Sequence, residues 1–122
     1  MESAQRAVLF VDVTDSTKIY ESLGDTVALA LINALFARLD KIVAKYSGIV
    51  VKTMGDGMVC VFEDPDNAFR GACEVQTSVH AGAQGARNRL QIKVGFTYGP
   101  VILSKGDVFG DTVNVAARMA GL

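Results

Sequence analysis

The spacing of hydrophobic and polar positions changes several times along the chain, and each change marks an element. Arg6 to Val13 is an almost unbroken apolar run rich in β-branched and aromatic residues, which predicts a strand covered on both faces. From Thr14 to Tyr46 the spacing becomes helical, with Val27, Leu31, Leu35, Leu39, Ile42 and Tyr46 on one face and a break at Gly24-Asp25. Thr14, Asp15, Ser16 and Thr17 at its start offer N-cap side chains. Ser47-Gly48 ends the helical pattern. Ile49 to Thr53 and Met58 to Phe62 then read as strands joined by the turn Met54-Gly55-Asp56-Gly57. Pro65 opens a second helix carrying Ala68, Phe69, Ala72, Val75 and Val79, which fades in the Gly-rich stretch Ala81 to Ala86; Leu90 to Phe96 is the fourth strand.

The order strand, helix, strand, strand, helix, strand predicts an α+β fold on the ferredoxin-like βαββαβ plan, an antiparallel sheet with both helices on one face. A short strand at Val101 to Leu103, a turn at Lys105-Gly106-Asp107 and a helix from Asp111 or Thr112 follow; that last helix reads as unfinished at Leu122. With 122 residues the chain is one domain, since separate cores need roughly 100 residues each.

Composition narrows the function classes. The chain has 12 basic and 13 acidic residues, so no single-sign field draws it to nucleic acid or anionic lipid, and neither is an expected partner. Met1-Glu2-Ser3-Ala4 lacks the basic-then-apolar order of a secretion leader. The longest apolar stretch, around Val27 to Ile32, is far short of the ~20 residues that span a bilayer. A cytoplasmic location is expected, either free or as the cytoplasmic part of a larger membrane protein. Cys60 and Cys73 lack metal or redox spacing and read as buried reduced thiols. His80 has no metal-spaced companion and is given no role.

Two carboxylates stand where this plan makes them neighbours: Asp12 at the end of the first strand and Asp56 in the adjoining turn. Hard cations take oxygen ligands and hold nucleotide phosphates through one or two carboxylates, so the pair suits a metal-bound nucleoside triphosphate. Asp is also common at strand ends and in Asp-Gly turns simply to satisfy backbone donors. Asn114 and Arg118 are four apart and share a helical face, as a functional pair or a solvated stripe.

The run Phe10-Val11-Asp12-Val13-Thr14-Asp15-Ser16-Thr17 resembles the first metal motif of class III adenylate/guanylate cyclases, and Val51-Lys52-Thr53-Met54-Gly55-Asp56-Gly57 the second, with the aspartates forty-four positions apart. Gly106-Asp107-Val108-Phe109-Gly110-Asp111-Thr112-Val113-Asn114-Val115-Ala116-Ala117-Arg118-Met119 is similar to that family's base-reading and transition-state segment. The likeness covers nearly the whole chain. It implies that Asp12 and Asp56 hold two Mg²⁺ (or Mn²⁺) ions per active site and that backbone N–H groups around Thr14 to Thr17 cradle phosphate. It further implies that Lys52 and Asp107 select adenine, and that Asn114 and Arg118 orient the ribose and stabilise the transition state. The substrate implied is ATP, and the active assembly a head-to-tail homodimer in which one protomer supplies the aspartates and its partner the remaining groups.

The arm from Val101 to Gly106 is shorter than in many cyclases, as in some bacterial members. The family's domain continues beyond position 122 with further strands and a lysine that contacts the triphosphate. The chain is therefore expected to be a C-terminally truncated piece, with a regulatory domain outside it. Two alternatives stand beside an active adenylate cyclase: a catalytically silent cyclase-like regulatory or dimerisation module, and a plain ferredoxin-like interaction domain in which both aspartates are turn residues.

Overall fold

A computed structural model describes residues 2–83 and 90–121. Its elements are β1 (Glu2–Thr14), α1 (Ser16–Leu23), α2 (Asp25–Lys45), β2 (Ile49–Met54), β3 (Gly57–Phe62), α3 (Pro65–Ala83), β4 (Gln91–Ser104), β5 (Asp107–Phe109) and α4 (Asp111–Met119). The strands form one sheet in the order β2-β3-β1-β4-β5, with every pairing antiparallel. Its first four strands reproduce the ferredoxin-like order, with β5 added beside β4.

The apolar run in β1 earns its central place: Ala7 to Val11 are all buried, because each face of the strand is covered. On one face Leu9, Val11, Cys60 and Phe62 pack with Ile32, Leu35, Leu39 and Val43 of α2 and Ala68, Val75 and Val79 of α3. On the other, Val8, Phe10, Val59 and Val61 pack with Val101, Val108 and the α4 residues Val113 and Ala116. Burial of Cys60 pushes its thiol pKa up to about 12, with a smaller contribution from the charge of Asp40, which keeps it an inert protonated thiol at neutral pH.

Several expectations are corrected. The buried stripe of α2 is Ala28, Ile32, Leu35, Phe36, Leu39 and Val43, while Val27 and Leu31 are 50% and 37% exposed. The helix is apolar on both sides of that stripe, so periodicity alone could not choose between two faces about one residue apart. Cys73 is exposed rather than buried. The two strands read at Leu90 to Phe96 and Val101 to Leu103 are one long β4. It runs through Gly99-Pro100 because β1, itself extended back to Glu2, supplies partners along its length, including Gln5 opposite Pro100. The fading of α3 over Ala81 to Ala86 falls partly outside the described residues. The last helix closes at Met119: Ala120 N–H donates to the Ala116 carbonyl, and Gly121, at φ 87°, donates to that of Arg118. Among the described residues no helix is long and apolar enough to cross a membrane.

The position of α4 depends on one glycine. A Cβ at Gly95 would overlap the Ala116 carbonyl and come within 2.5 Å of the Ala120 nitrogen, so the helix backbone lies directly on β4.

Candidate active site

β1 and β3 run antiparallel with Asp12 opposite Gly57, and the Val13 N–H donates to the Asp56 carbonyl at 2.9 Å. This register brings the end of β1 against the Gly55-Asp56 turn, and the two aspartates become neighbours. Asp12 shares the parity of Val8 and Phe10 and so belongs to the α4 face of the sheet. Its carboxyl pKa is raised, first by partial burial and then by the negative charge of Asp56, with Lys93 acting in the opposite sense. Lys93 is directly opposite Asp12 in the β1–β4 register. A half-buried carboxylate held beside a second one is a place where a divalent cation relieves repulsion. Among the described residues no group of three or more His, Cys, Asp and Glu converges as a metal site, and the carboxylates brought together here are this pair. It fits Mg²⁺ or Mn²⁺, which take one or two carboxylates and complete their shells with water and phosphate oxygens.

Helix α1 starts immediately beyond Asp12. Asp15 takes the left-handed conformation (φ 55°, ψ 37°), which a short polar side chain tolerates. It turns the chain from strand to helix. Asp15, one of the four cap candidates, thus occupies the N-cap, but its side chain makes no capping hydrogen bond. The first helical turn is closed by Lys18 and Ile19 N–H donating to the Asp15 carbonyl, leaving the Ser16 and Thr17 N–H groups at the open end of the helix. Farther along, the Tyr20 hydroxyl donates to Asp56 Oδ1 at 3.5 Å. The Tyr20 pKa is raised, by burial first and then by the Asp56 charge.

Lys52 and Asp107 lie on the two edge strands, β2 and β5, yet Lys52 Nζ is 2.9 Å from Asp107 Oδ1. The sheet curls enough for its edges to meet. The hydrogen bond from Lys52 lowers the Asp107 pKa, assisted by the Val108 N–H at 2.7 Å, so Asp107 is a secure acceptor at neutral pH. The Phe109 ring, about half exposed, has Lys52 Nζ 5.9 Å from its centroid.

Asn114 and Arg118 share the solvent side of α4, whose Thr112, Val113 and Ala116 are buried. They form no ion pair or hydrogen bond with either aspartate among the described residues. The predicted residues therefore fall into three sets: Asp12 with Asp56 beside the α1 start, Lys52 with Asp107 at the joined edges, and Asn114 with Arg118 exposed on α4. Sequence reading missed Tyr20 and Lys93. Lys93 could have been found only from the β1–β4 register, and Tyr20 only from the way α1 packs.

A family model described as the adenylate and guanylate cyclase catalytic domain matches residues 2–122. An uncharacterized protein of Mycobacterium tuberculosis is 32% identical over 110 residues, 90% of this chain and 28% of that protein. An adenylate cyclase of Streptomyces coelicolor is 29% identical over 123 residues, covering 100% of this chain and 31% of the relative. The chain thus spans under a third of the length of these relatives. Among solved structures, an adenylate/guanylate cyclase/hydrolase from Silicibacter pomeroyi superposes with TM-score 0.85 at 32% identity, covering 100% of this chain and 72% of that one.

Proposed function

Because the chain belongs to the adenylate and guanylate cyclase catalytic domain family, we propose that it is the ATP-consuming part of an adenylate cyclase acting as a head-to-tail homodimer. The ribose 3′-oxygen attacks the α-phosphorus of ATP; a new P–O bond closes the 3′,5′ ring as the α–β phosphoanhydride bond breaks and pyrophosphate leaves. Asp12 and Asp56 would hold two Mg²⁺ or Mn²⁺ ions, which when bound supply the charge that acidifies the 3′-hydroxyl and neutralises the triphosphate. The Ser16 and Thr17 N–H groups offer donors to phosphate oxygens, and Lys93, opposite Asp12, adds positive charge beside the aspartates. Lys52 donates to purine N1 and Asp107 accepts from the exocyclic amine, a pairing that suits adenine and opposes guanine. Asn114 orients the ribose, and Arg118 takes up charge growing on the α-phosphate.

The observation carrying the cyclase reading is the adjacency of Asp12 and Asp56 beside an open helix start; the preference for ATP rests on the Lys52–Asp107 contact. The separation of the residues into three sets supports the dimer, since each shared site then takes its aspartates from one protomer and the remaining sets from the other. A nucleotide-consuming reaction suits the cytoplasm. The test is product analysis with ATP and GTP in Mg²⁺ and Mn²⁺. Cyclic AMP formed by the wild type and lost by about 10³-fold in Asp56→Ala is expected. A folded dimer yielding neither cyclic nucleotide, on this chain or a longer form containing it, would favour the silent regulatory module instead.

A further inference from the structure

We propose that Tyr20 is a positioning residue that sets the orientation of the Asp56 carboxylate for metal binding; the inference rests on Asp12 and Asp56 being the metal-holding pair. Asp56 occupies a two-residue turn between β2 and β3 and is only partly buried. Its backbone is fixed by the hydrogen bond from Val13 N–H to its carbonyl, but that bond leaves the side-chain torsions free. Among the described residues, the hydrogen bond to the carboxylate itself comes from the Tyr20 hydroxyl on Oδ1.

Tyr20 is suited to this in two ways. Its ring packs against the α2–α3 core, so the hydroxyl is delivered from a fixed base. As a neutral donor it occupies one lone pair of Oδ1 and leaves Oδ2 and the carboxylate's negative charge to a cation; a lysine in its place would compete with the metal. Ligating carboxylates depend on such outer hydrogen bonds for orientation, and loss of one typically weakens metal binding 10–100-fold. At 3.5 Å this bond is long for O–H···O⁻, which sets the expected effect at the lower end of that range. Tyr20 also lies one helical turn beyond Ser16, so the same helix joins the phosphate-facing N–H groups to the carboxylate turn.

The experiment is Mn²⁺ binding to the full chain, followed by electron paramagnetic resonance of the free ion, for wild type, Asp56→Ala, Tyr20→Phe and Tyr20→Gln, each with a thermal melt. Tyr20→Phe keeps the ring and is expected to bind Mn²⁺ about tenfold more weakly at a nearly unchanged Tm. Tyr20→Gln sacrifices ring packing and its shorter amide does not reach Asp56, so it is expected to melt lower than Tyr20→Phe yet bind Mn²⁺ equally weakly. Equal affinity of Tyr20→Phe and wild type, where Asp56→Ala has lost binding, overturns the role of Tyr20 alone. A binding order that follows Tm rather than the presence of a donor on Asp56 overturns it too. Wild type and Asp56→Ala binding equally overturns the metal reading beneath it.

Discussion

The two faces of the sheet are built differently. Against one, α2 and α3 lay long apolar stripes, and the core they close contains Leu9, Leu39, Val43, Met58 and Val75, each 0–1% exposed. Against the other, among the described residues, there is only α4, nine residues long, seated on Gly95 with its backbone touching the strand. Beside Asp107 that face leaves an open cavity of about 290 Å³ lined by Ile49, Val51, Val61 and Leu103. Asp12 and the residues of α4 sit on this second, thinner face, and Lys52 and Asp107 meet where its edges curl together. The thicker core thus lies on one side of the sheet and most of the candidate site residues on the other, so changes on the two sides are expected to report on different properties.

Leu39→Ala attacks the first face. The side chain is fully buried between α2 and the sheet, and its removal leaves a cavity; a loss of about 2–5 kcal/mol in the urea midpoint analysis is expected. Mn²⁺ affinity per folded molecule should stay within about twofold of wild type. A large drop in that affinity would show that the two faces are mechanically coupled.

Gly95→Ala attacks the second face. The new methyl meets backbone atoms of Ala116 and Ala120 that cannot swing aside, so α4 must lift from β4, carrying Asn114 and Arg118 with it. A misplacement of about 1 Å can cost 10²-fold in rate, so turnover is expected to fall by about that factor while the first-face core stays intact. Near-wild-type turnover would mean that α4 is not positioned by this contact.

How much of this was readable beforehand follows the same division. The run from Arg6 to Val13, the Gly55-Asp56 turn and the Pro65 helix start all carry their information locally, so the βαββαβ order came out of the sequence. The choice of buried stripe on α2 did not, because Val27 and Leu31 are as apolar as Ile32 and only docking on the sheet separates them. Nor did the length of β4: Gly99-Pro100 carries a local break signal that a long pairing with β1 overrides. At the site, Asp12, Asp56, Lys52 and Asp107 stood out through motif resemblance. The Asp12–Asp56 adjacency followed from the strand order, but the ion pair between Lys52 and Asp107 across the edge strands, and the arrival of Tyr20 and Lys93, depend on register and curl, which no local pattern records.

Lys52 and Asp107 offer a subtler probe of the second face. Replacing them together, Lys52→Glu with Asp107→Cys, removes the ion pair joining β2 to β5 and reverses the donor and acceptor presented to a purine. A shift of about tenfold in the ATP-to-GTP turnover ratio toward GTP is expected. An unchanged ratio would remove these two residues from base selection, leaving them as an edge clasp.

The smallest effect belongs to the rim of the first face, where Glu74 of α3 accepts hydrogen bonds at 2.7 Å from Lys45 Nζ and from the Tyr46 hydroxyl at the end of α2. These bonds, the one from Lys45 foremost, lower the Glu74 pKa below its ordinary 4.5. A carboxyl with a depressed folded-state pKa adds stability above its unfolded value and loses it as pH falls through the folded one. The wild type should therefore lose part of its stability on acidification below about pH 4.5, and Glu74→Gln should show a shallower acid limb with turnover unaffected. The contact is solvent-exposed and salt-screened, so the difference should shrink in 1 M salt. If wild type and Glu74→Gln lose stability in parallel, the contact does not tie α2 to α3, and the first face is held by its apolar core alone.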